Sequence, residues 1–243
     1  MHRVVALLLG ALCHGSFALG VGAMVIGLYS GMTHGFGTLT GASAWIVDLL
    51  LVCQFPLLHS WMLSQPGRRV ASQLAGRWGG TLFSTIFATF ASWQLLVTFC
   101  AWSPLCGPRW TPSGSLFVVS CVAYALSWVL LGQTMLDAGL ASQTGAMGWW
   151  ALFRGRKPKF GPLPTQRTFA FCRQPVYFAY ALTLWTGPTW SLDRLVLAVV
   201  WTGYCVLGPL RKEARYVGYH GELFREYQRR VPYFVPWLRR ASG

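Results

Sequence analysis

The sequence predicts an all-α fold, a polytopic membrane bundle of five or six transmembrane helices. Of its 243 residues, 54% are hydrophobic and only 11% are charged, whereas a soluble domain carries about 25% charged residues. Several apolar stretches reach the roughly 20 residues that a helix needs to cross the hydrocarbon core of a bilayer. The chain therefore has too few polar residues for a soluble globular protein and enough apolar segments for a multi-pass one.

Four apolar stretches come first, and a pair of stretches separated by a break follows. The first stretch is too long for the core of a signal peptide and is followed by further spans. Short connections between the first four predict an up-and-down bundle. We expect the last two, which meet at Gly187-Pro188, to form a helical hairpin whose first arm is short for a full span. The stretches cover residues 4–30, 43–63, 80–102, 114–136, 176–187 and 190–210.

The polar connections differ in length and composition. Residues 64–80 contain Pro and Gly and have room for a short amphipathic helix. The long segment that follows the fourth span is rich in aromatic and basic residues, which places it at the membrane–water boundary, and connections of that length are often functional. The C-terminal tail predicts an amphipathic helix of about four turns that ends at Val231-Pro232. The chain thus divides into a lipid-embedded part, 1–136, and a polar part, 137–243, where chemistry is expected.

The basic residues indicate the orientation. In a six-segment arrangement, all of the 20 Lys and Arg residues except Arg109 and Arg194 fall on one side. The positive-inside rule then places both termini in the cytoplasm, as in a protein of the bacterial inner membrane. The net charge of +14 reflects this topology and contact with anionic membrane lipid, not binding of nucleic acid. The sequence does not indicate an oligomeric state.

Common site motifs are missing from the sequence. The seven cysteines form no CxxC pair and show no alternating Cys/His spacing, so we expect neither a disulfide framework nor a metal site. There is no glycine-rich phosphate loop, GxSxG elbow or HExxH pattern. Any chemistry must therefore depend on individual polar residues near the inner membrane surface.

The first group of candidate polar residues lies near the inner ends of the second and fourth spans. His59 either reaches toward the headgroups or faces a polar cavity. Gln133 and Asp137 are four residues apart, share one helix face and could line the same cavity. Asp48 lies about three turns earlier in the second span, where it is either a buried packing contact or a partner for another polar group across the bundle.

The stretch RTFAFCRQPVYFAY, residues 167–180, is the second group. Pro175 favours the first turn of a helix, and the free N–H groups of that turn attract anions. Arg173 adds a planar fork that suits a carboxylate, or else it only anchors the helix to headgroups. Glu213 follows the last span and is the only acid in RKEAR, 211–215. It is either a functional residue or an exposed ion pair of little energetic value.

Together and in this order, the segments resemble the isoprenylcysteine carboxyl methyltransferase superfamily, and within it most closely the methanethiol S-methyltransferases and NnrU-like membrane proteins. HSWMLSQPGRR (59–69) is similar to the family's His-Ser segment after the second span. FRGRKPKFGPLPTQRTFAFCRQPVY (153–177) is similar to the stretch that leads into its Arg-His-Pro-x-Tyr motif. LRKEARYVGYHGELFREYQRRVPYFVPW (210–237) resembles its double-glutamate tail. The resemblance runs from about residue 43 to residue 238.

The resemblance implies a fold and a site. A cytoplasmic loop and the C-terminal helix would cover a pocket for S-adenosylmethionine, and a small lipophilic substrate would enter from the lipid side. Glu213 and His59, in that order, are the candidate bases, and Arg173 is the third catalytic candidate. The residues carried over to the cofactor site are Arg173, Gln174, Pro175, Tyr177, Glu213, Tyr227 and Arg230.

Two positions depart from the family pattern. The family's histidine is Gln174 here, which cannot titrate, and the first of its paired glutamates is Lys212, which reverses a charge near a sulfonium. The first hypothesis is methylation of a small thiol, with methanethiol converted to dimethyl sulfide. One alternative is methylation of a lipid or isoprenoid-linked carboxylate. Another is a membrane protein that keeps the fold and no longer binds the cofactor.

Overall fold

The computed structural model describes residues 2–107 and 110–236, and these residues form helices with no β-strand among them. Five of the helices are long and apolar enough to cross a membrane: α1, α2, α4, α5 and α10. The helices are α1 (His2–Tyr29), α2 (Gly41–Met62), α3 (Gln65–Leu74), α4 (Gly79–Cys100), α5 (Gly114–Asp137), α6 (Leu140–Gln143), α7 (Ala146–Phe153), α8 (Thr168–Phe171), α9 (Pro175–Thr186), α10 (Leu192–His220) and α11 (Glu222–Arg230). The predicted polytopic all-α bundle is confirmed.

The hairpin arm α9 is the short member of the bundle. It has 12 residues, about 18 Å of helix, against a hydrocarbon core of about 30 Å. It packs against α5 and α10, and both predicted parts of the chain therefore contribute helices to one bundle. The sequence left a choice between five and six spans, and five helices meet the length requirement.

Hydrogen bonds join the connections at one end of the bundle. The N–H of Phe36 donates to the carbonyl of Cys100 at 2.7 Å, and the N–H of Cys106 donates to the Asp193 carboxylate at 2.9 Å. Arg194 is fully buried at this end, where its Nη1 donates to the Gly187 and Thr189 carbonyls, each at 2.6 Å. Arg109, the other basic residue predicted for this side, lies outside the described residues.

The tail differs from the prediction in where its helix begins. The last span does not end near residue 210, because α10 continues through the polar residues 211–220 before it stops at His220. Gly221 then adopts φ +55°, a conformation that glycine tolerates, and the nine-residue α11 follows. The predicted four-turn tail helix is thus an extension of α10 and a separate short helix. Its predicted end at Val231 is confirmed, as is a short helix, α3, within 64–80.

The long segment after α5 folds back on the bundle. Its short helix α7 packs against α1 and α4, and the N–H of Trp149 donates to Thr85 Oγ1 at 2.8 Å. Asp137 joins the two ends of the segment. Its carboxylate accepts hydrogen bonds from Thr168 Oγ1 at 2.8 Å and from Arg167 Nη1 at 3.2 Å. Gln133 also donates to Asp137, at 2.9 Å, so the predicted shared face of these two residues is confirmed. Asp137 thereby holds the start of α8 against the end of α5.

Candidate active site

Arg173 joins the C-terminal tail to the membrane bundle. Its Nε and Nη2 donate to the two carboxylate oxygens of Glu213 at 2.9 and 3.2 Å, in the bidentate geometry of a strong charged pair. Its Nη1 donates to the carbonyls of Gln228 and Val231 at 2.9 and 2.6 Å. One side chain, just before α9, therefore holds both α10 and the end of α11.

Glu213 is buried and accepts four hydrogen bonds. Besides the two from Arg173, its Oε1 accepts from Gln174 Nε2 at 2.8 Å and its Oε2 accepts from Gln228 Nε2 at 2.7 Å. Each oxygen thus has two donors, which is the full capacity of an ionised carboxylate. In this arrangement Glu213 holds the tail in place, and it would have to exchange a partner before it could take a proton.

The two residues that depart from the family pattern contact each other. Lys212 Nζ donates to Gln174 Oε1 at 3.2 Å, while the other end of the Gln174 amide donates to Glu213. The Lys212 ammonium also lies over the rings of Tyr177 and Tyr216, 5.6 and 5.5 Å from their centroids. We call Arg173, Gln174, Lys212, Glu213 and Gln228 the Arg173 cluster.

The end of the tail crosses the start of α9. The N–H of Arg173 donates to the carbonyl of Pro232 at 2.9 Å, and Pro175 begins the helix as predicted. The ring of Tyr233 lies 5.5 Å from the Arg173 guanidinium carbon, and burial raises the pKa of Tyr233 to about 12. The hydroxyl of Tyr227 donates to the carbonyl of Phe169 at 2.6 Å, and burial raises the pKa of Tyr227 as well. Both tyrosines therefore remain neutral and pack the tail against the segment before α9.

Aromatic rings extend from the Arg173 cluster into the bundle. Tyr177 lies 6.3 Å from Tyr204, and Tyr204 lies 6.1 Å from His59, measured between ring centroids. Tyr180 stacks on Trp201 at 6.1 Å. Among the described residues, the buried atoms Nδ1 of His59 and Oη of Tyr180 have no hydrogen-bond partner, which is unusual for buried polar groups. We call His59, Tyr177, Tyr180, Trp201 and Tyr204 the aromatic cluster.

The site residues proposed from the sequence fall into three groups. Arg173 and Gln174 both donate directly to Glu213, although Glu213 lies about 40 positions further along the chain. Pro175 and Tyr177 adjoin them, and His59 is linked to them only through the aromatic cluster. Arg230 lies away from the others, because its side chain is 68% exposed and pairs with Glu226.

The chain is similar to known proteins over most of its length. It is 27% identical over 217 residues to methanethiol S-methyltransferase 1 of Bradyrhizobium diazoefficiens, covering 88% of this chain and 75% of the relative. It is 28% identical over 203 residues to methanethiol S-methyltransferase of Pseudomonas deceptionensis, covering 82% and 76%. The chain is homologous to the methanethiol S-methyltransferases. The resemblance predicted from the motifs is thereby confirmed.

A second kind of relative also matches. The chain is 27% identical over 173 residues to nurim of Danio rerio, covering 66% of this chain and 60% of that protein. No family model and no solved structure matches the chain. The methanethiol S-methyltransferases thus cover more of the chain than nurim does.

Several contributors to the site carried no motif. Gln228 and Tyr233 lie in the polar tail, and only the folding of the tail onto Glu213 and Arg173 brings them to the site. Tyr180 also lies outside the motifs, but it follows the motif residue Tyr177 by three positions, a spacing that places both on one helix face. That spacing is the signal from which part of the aromatic cluster could have been found.

Cys172 precedes Arg173 and is expected to be chemically inert. Its thiol is buried, and burial raises its pKa to about 11. Only about one thiol in a thousand would then be ionised at pH 8. We expect N-ethylmaleimide to leave Cys172 unmodified in the folded protein and to modify it after denaturation, as measured by peptide mass spectrometry. Rapid modification of the folded protein would show that the tail does not cover this residue.

Proposed function

We propose that the protein is a membrane-embedded methyltransferase that uses S-adenosylmethionine to convert methanethiol to dimethyl sulfide. One observation carries the proposal: in a chain homologous to methanethiol S-methyltransferases, three of the residues matched to the family's motifs, Arg173, Gln174 and Glu213, meet in one buried cluster. The reaction is proposed from the relatives' names. We propose that it takes place beside the Arg173 cluster, at the start of α9 and in the C-terminal part of α10. By the positive-inside rule, we place this end of the bundle in the cytoplasm.

The residues around the cluster fit a cationic sulfonium cofactor. The faces of aromatic rings attract cations, and the Lys212 ammonium already lies over Tyr177 and Tyr216. Nδ1 of His59 and Oη of Tyr180, two of the ten buried polar side-chain atoms that have no partner among the described residues, are available to bond a ligand. We propose that Tyr177, Tyr180 and Gln174 contact the cofactor, while Arg173 and Glu213 hold the tail over it.

The chemistry needs alignment more than it needs a strong catalytic group. When bound, S-adenosylmethionine supplies an electrophilic methyl group. The chain contributes by aligning the thiol sulfur and by excluding water, because the charges of thiolate and sulfonium neutralise each other during transfer. The thiolate is the nucleophile, and we propose that the thiol proton passes to Nδ1 of His59. Glu213, the first candidate on sequence grounds, has both oxygens occupied by donors.

Two measurements test the proposal on the purified full-length protein in detergent. We expect calorimetry to show binding of S-adenosylmethionine, and headspace gas chromatography to show dimethyl sulfide after methanethiol is added. No binding at millimolar cofactor would exclude both enzyme hypotheses and favour a membrane protein that has lost the activity. Binding without dimethyl sulfide would point to a different acceptor, for which a lipid or isoprenoid-linked carboxylate is the next to try.

A further inference from the structure

A cavity of about 440 Å³ lies at the inner end of the bundle, away from the Arg173 cluster. It is formed by the first residues of α1 and α4 and by the residues that follow α7. Its polar lining includes His2, Arg77, Thr81, Arg156 and Lys157. The proposed reaction uses none of these residues.

The cavity is positively charged and has no acid in its lining. Arg77, Arg156 and Lys157 bring three cationic side chains together. The chain has only six acids, and all of them lie elsewhere: Asp48, Asp137, Asp193, Glu213, Glu222 and Glu226. Mutual repulsion of three cations is unfavourable, so the arrangement favours a bound anion.

The backbone adds to this preference. α4 begins at Gly79, no side chain caps its first turn, and Trp78 and Thr81 of that region line the cavity. A helix start carries the positive end of the helix dipole. The 22-residue α4 therefore directs the positive end of its dipole toward the same space as the three cations.

The surroundings of the cavity match the membrane interface. Arg77 lies 4.7 Å from the ring centroid of Trp78, and Arg154, just after α7, lies 5.4 Å from that of Trp150. Trp and basic residues paired in this way are typical of the headgroup region. Beside the cavity, the first turns of α1 expose Val4 and Leu8, by 60% and 66%, which offers an apolar surface for acyl chains.

From this geometry we propose that the cavity binds a phosphate-bearing anion, supplied by the headgroup of an anionic phospholipid. Basic cavities between membrane helices on the cytoplasmic side bind such headgroups. The lipid would fill the gap between α1, α4 and α7 and so hold the start of the chain against the segment after α7. The proposal does not depend on the methyltransferase activity.

Native mass spectrometry of the full-length protein tests the proposal. The protein is released from detergent after equilibration with phosphatidylglycerol or with phosphatidylcholine, and the retained lipid is counted. The test variant is Arg77→Gln/Arg156→Gln/Lys157→Gln. The matched control is Arg69→Gln/Arg211→Gln/Arg225→Gln, which removes the same charge from exposed residues outside the cavity.

We expect the parent and the control to retain phosphatidylglycerol in preference to phosphatidylcholine, and the test variant to bind it roughly a hundredfold more weakly. Equal losses in the two triple variants would overturn the proposal, because the effect would then reflect overall charge. A second experiment adds inorganic phosphate to the protein without lipid and measures the melting temperature. If phosphate raises the melting temperature of the parent but not of the test variant, and phosphatidylglycerol is not retained, the anion site stands and its lipid source is overturned.

Discussion

Replacing Arg173 by Ala is expected to release the C-terminal tail from the bundle and to abolish binding of S-adenosylmethionine. The change removes four hydrogen bonds, two to the Glu213 carboxylate and two to the carbonyls of Gln228 and Val231. It also leaves Glu213 buried without its cation, and breaking a buried pair in this way costs roughly 3–5 kcal/mol. Limited proteolysis with chymotrypsin measures the release, because Phe224 and Tyr227 on α11 are buried and become cleavable only when the tail leaves. Calorimetry measures the binding.

The matched control is Arg229→Ala, on the same tail. Arg229 pairs with Glu222, but the two side chains are 64% and 69% exposed, and an exposed pair contributes only about 0–1 kcal/mol. We expect this variant to resist chymotrypsin as the parent does. The resistance of Arg173→Lys to chymotrypsin should lie between that of Arg173→Ala and that of Arg229→Ala, because lysine keeps the charge and loses the planar fork. If Arg173→Ala leaves α11 protected, the tail is held by other contacts and the role assigned to Arg173 is wrong.

Gln174 and Lys212 are expected to behave as a coupled pair. Gln174→Leu should weaken S-adenosylmethionine binding by at least about tenfold, because it removes the bonds to Glu213 and Lys212 together and leaves buried groups unpaired. Gln174→His should bind at least as well as the parent. A neutral imidazole has one donor for Glu213 and one acceptor for Lys212, so it can replace both ends of the amide.

Substitution of Lys212, the partner of Gln174, completes a double-mutant cycle. Lys212→Glu alone places a second carboxylate beside Glu213 and against the Gln174 carbonyl oxygen, so we expect weaker cofactor binding. Gln174→His combined with Lys212→Glu should recover much of that loss, since an imidazolium can donate to both carboxylates. The expected coupling free energy is about 1 kcal/mol or more, measured by calorimetry on all four proteins. Additive effects of the two changes would show that the contact at 3.2 Å does not link them.

Most of the membrane architecture could be predicted, because in lipid a chain must satisfy its backbone groups internally and long apolar stretches become helices. The start of α9 at Pro175 and the end of α11 at Val231 also follow from local chemistry, proline at one end and Val-Pro at the other. The extent of α10 did not follow. Residues 211–220 are polar, and polarity marks where a span leaves the lipid but not where its helix stops.

The structure brings some of the predicted site residues together and separates others, and the difference depends on side-chain direction. Glu213 was the leading base on sequence grounds, and only the folded tail shows four donors on its oxygens. Arg230 sits in the matched tail segment but points toward Glu226 on the exposed side of α11. Gln228 and Tyr233 carried no signal, because their partner Arg173 is more than 50 positions away in the chain.

The sequence alone determined that this is a multi-pass helical protein, and its motifs determined the resemblance to membrane methyltransferases. These properties follow from the composition, from the length of the apolar stretches and from the order of short motifs. Each of these features can be recognised in a continuous stretch of sequence. The tertiary structure decided how the two unusual residues are used. Gln174 and Lys212, which separately looked like losses from the family pattern, form one hydrogen-bonded unit with Glu213. That pairing depends on the distance between side chains from two different helices, which no local pattern encodes.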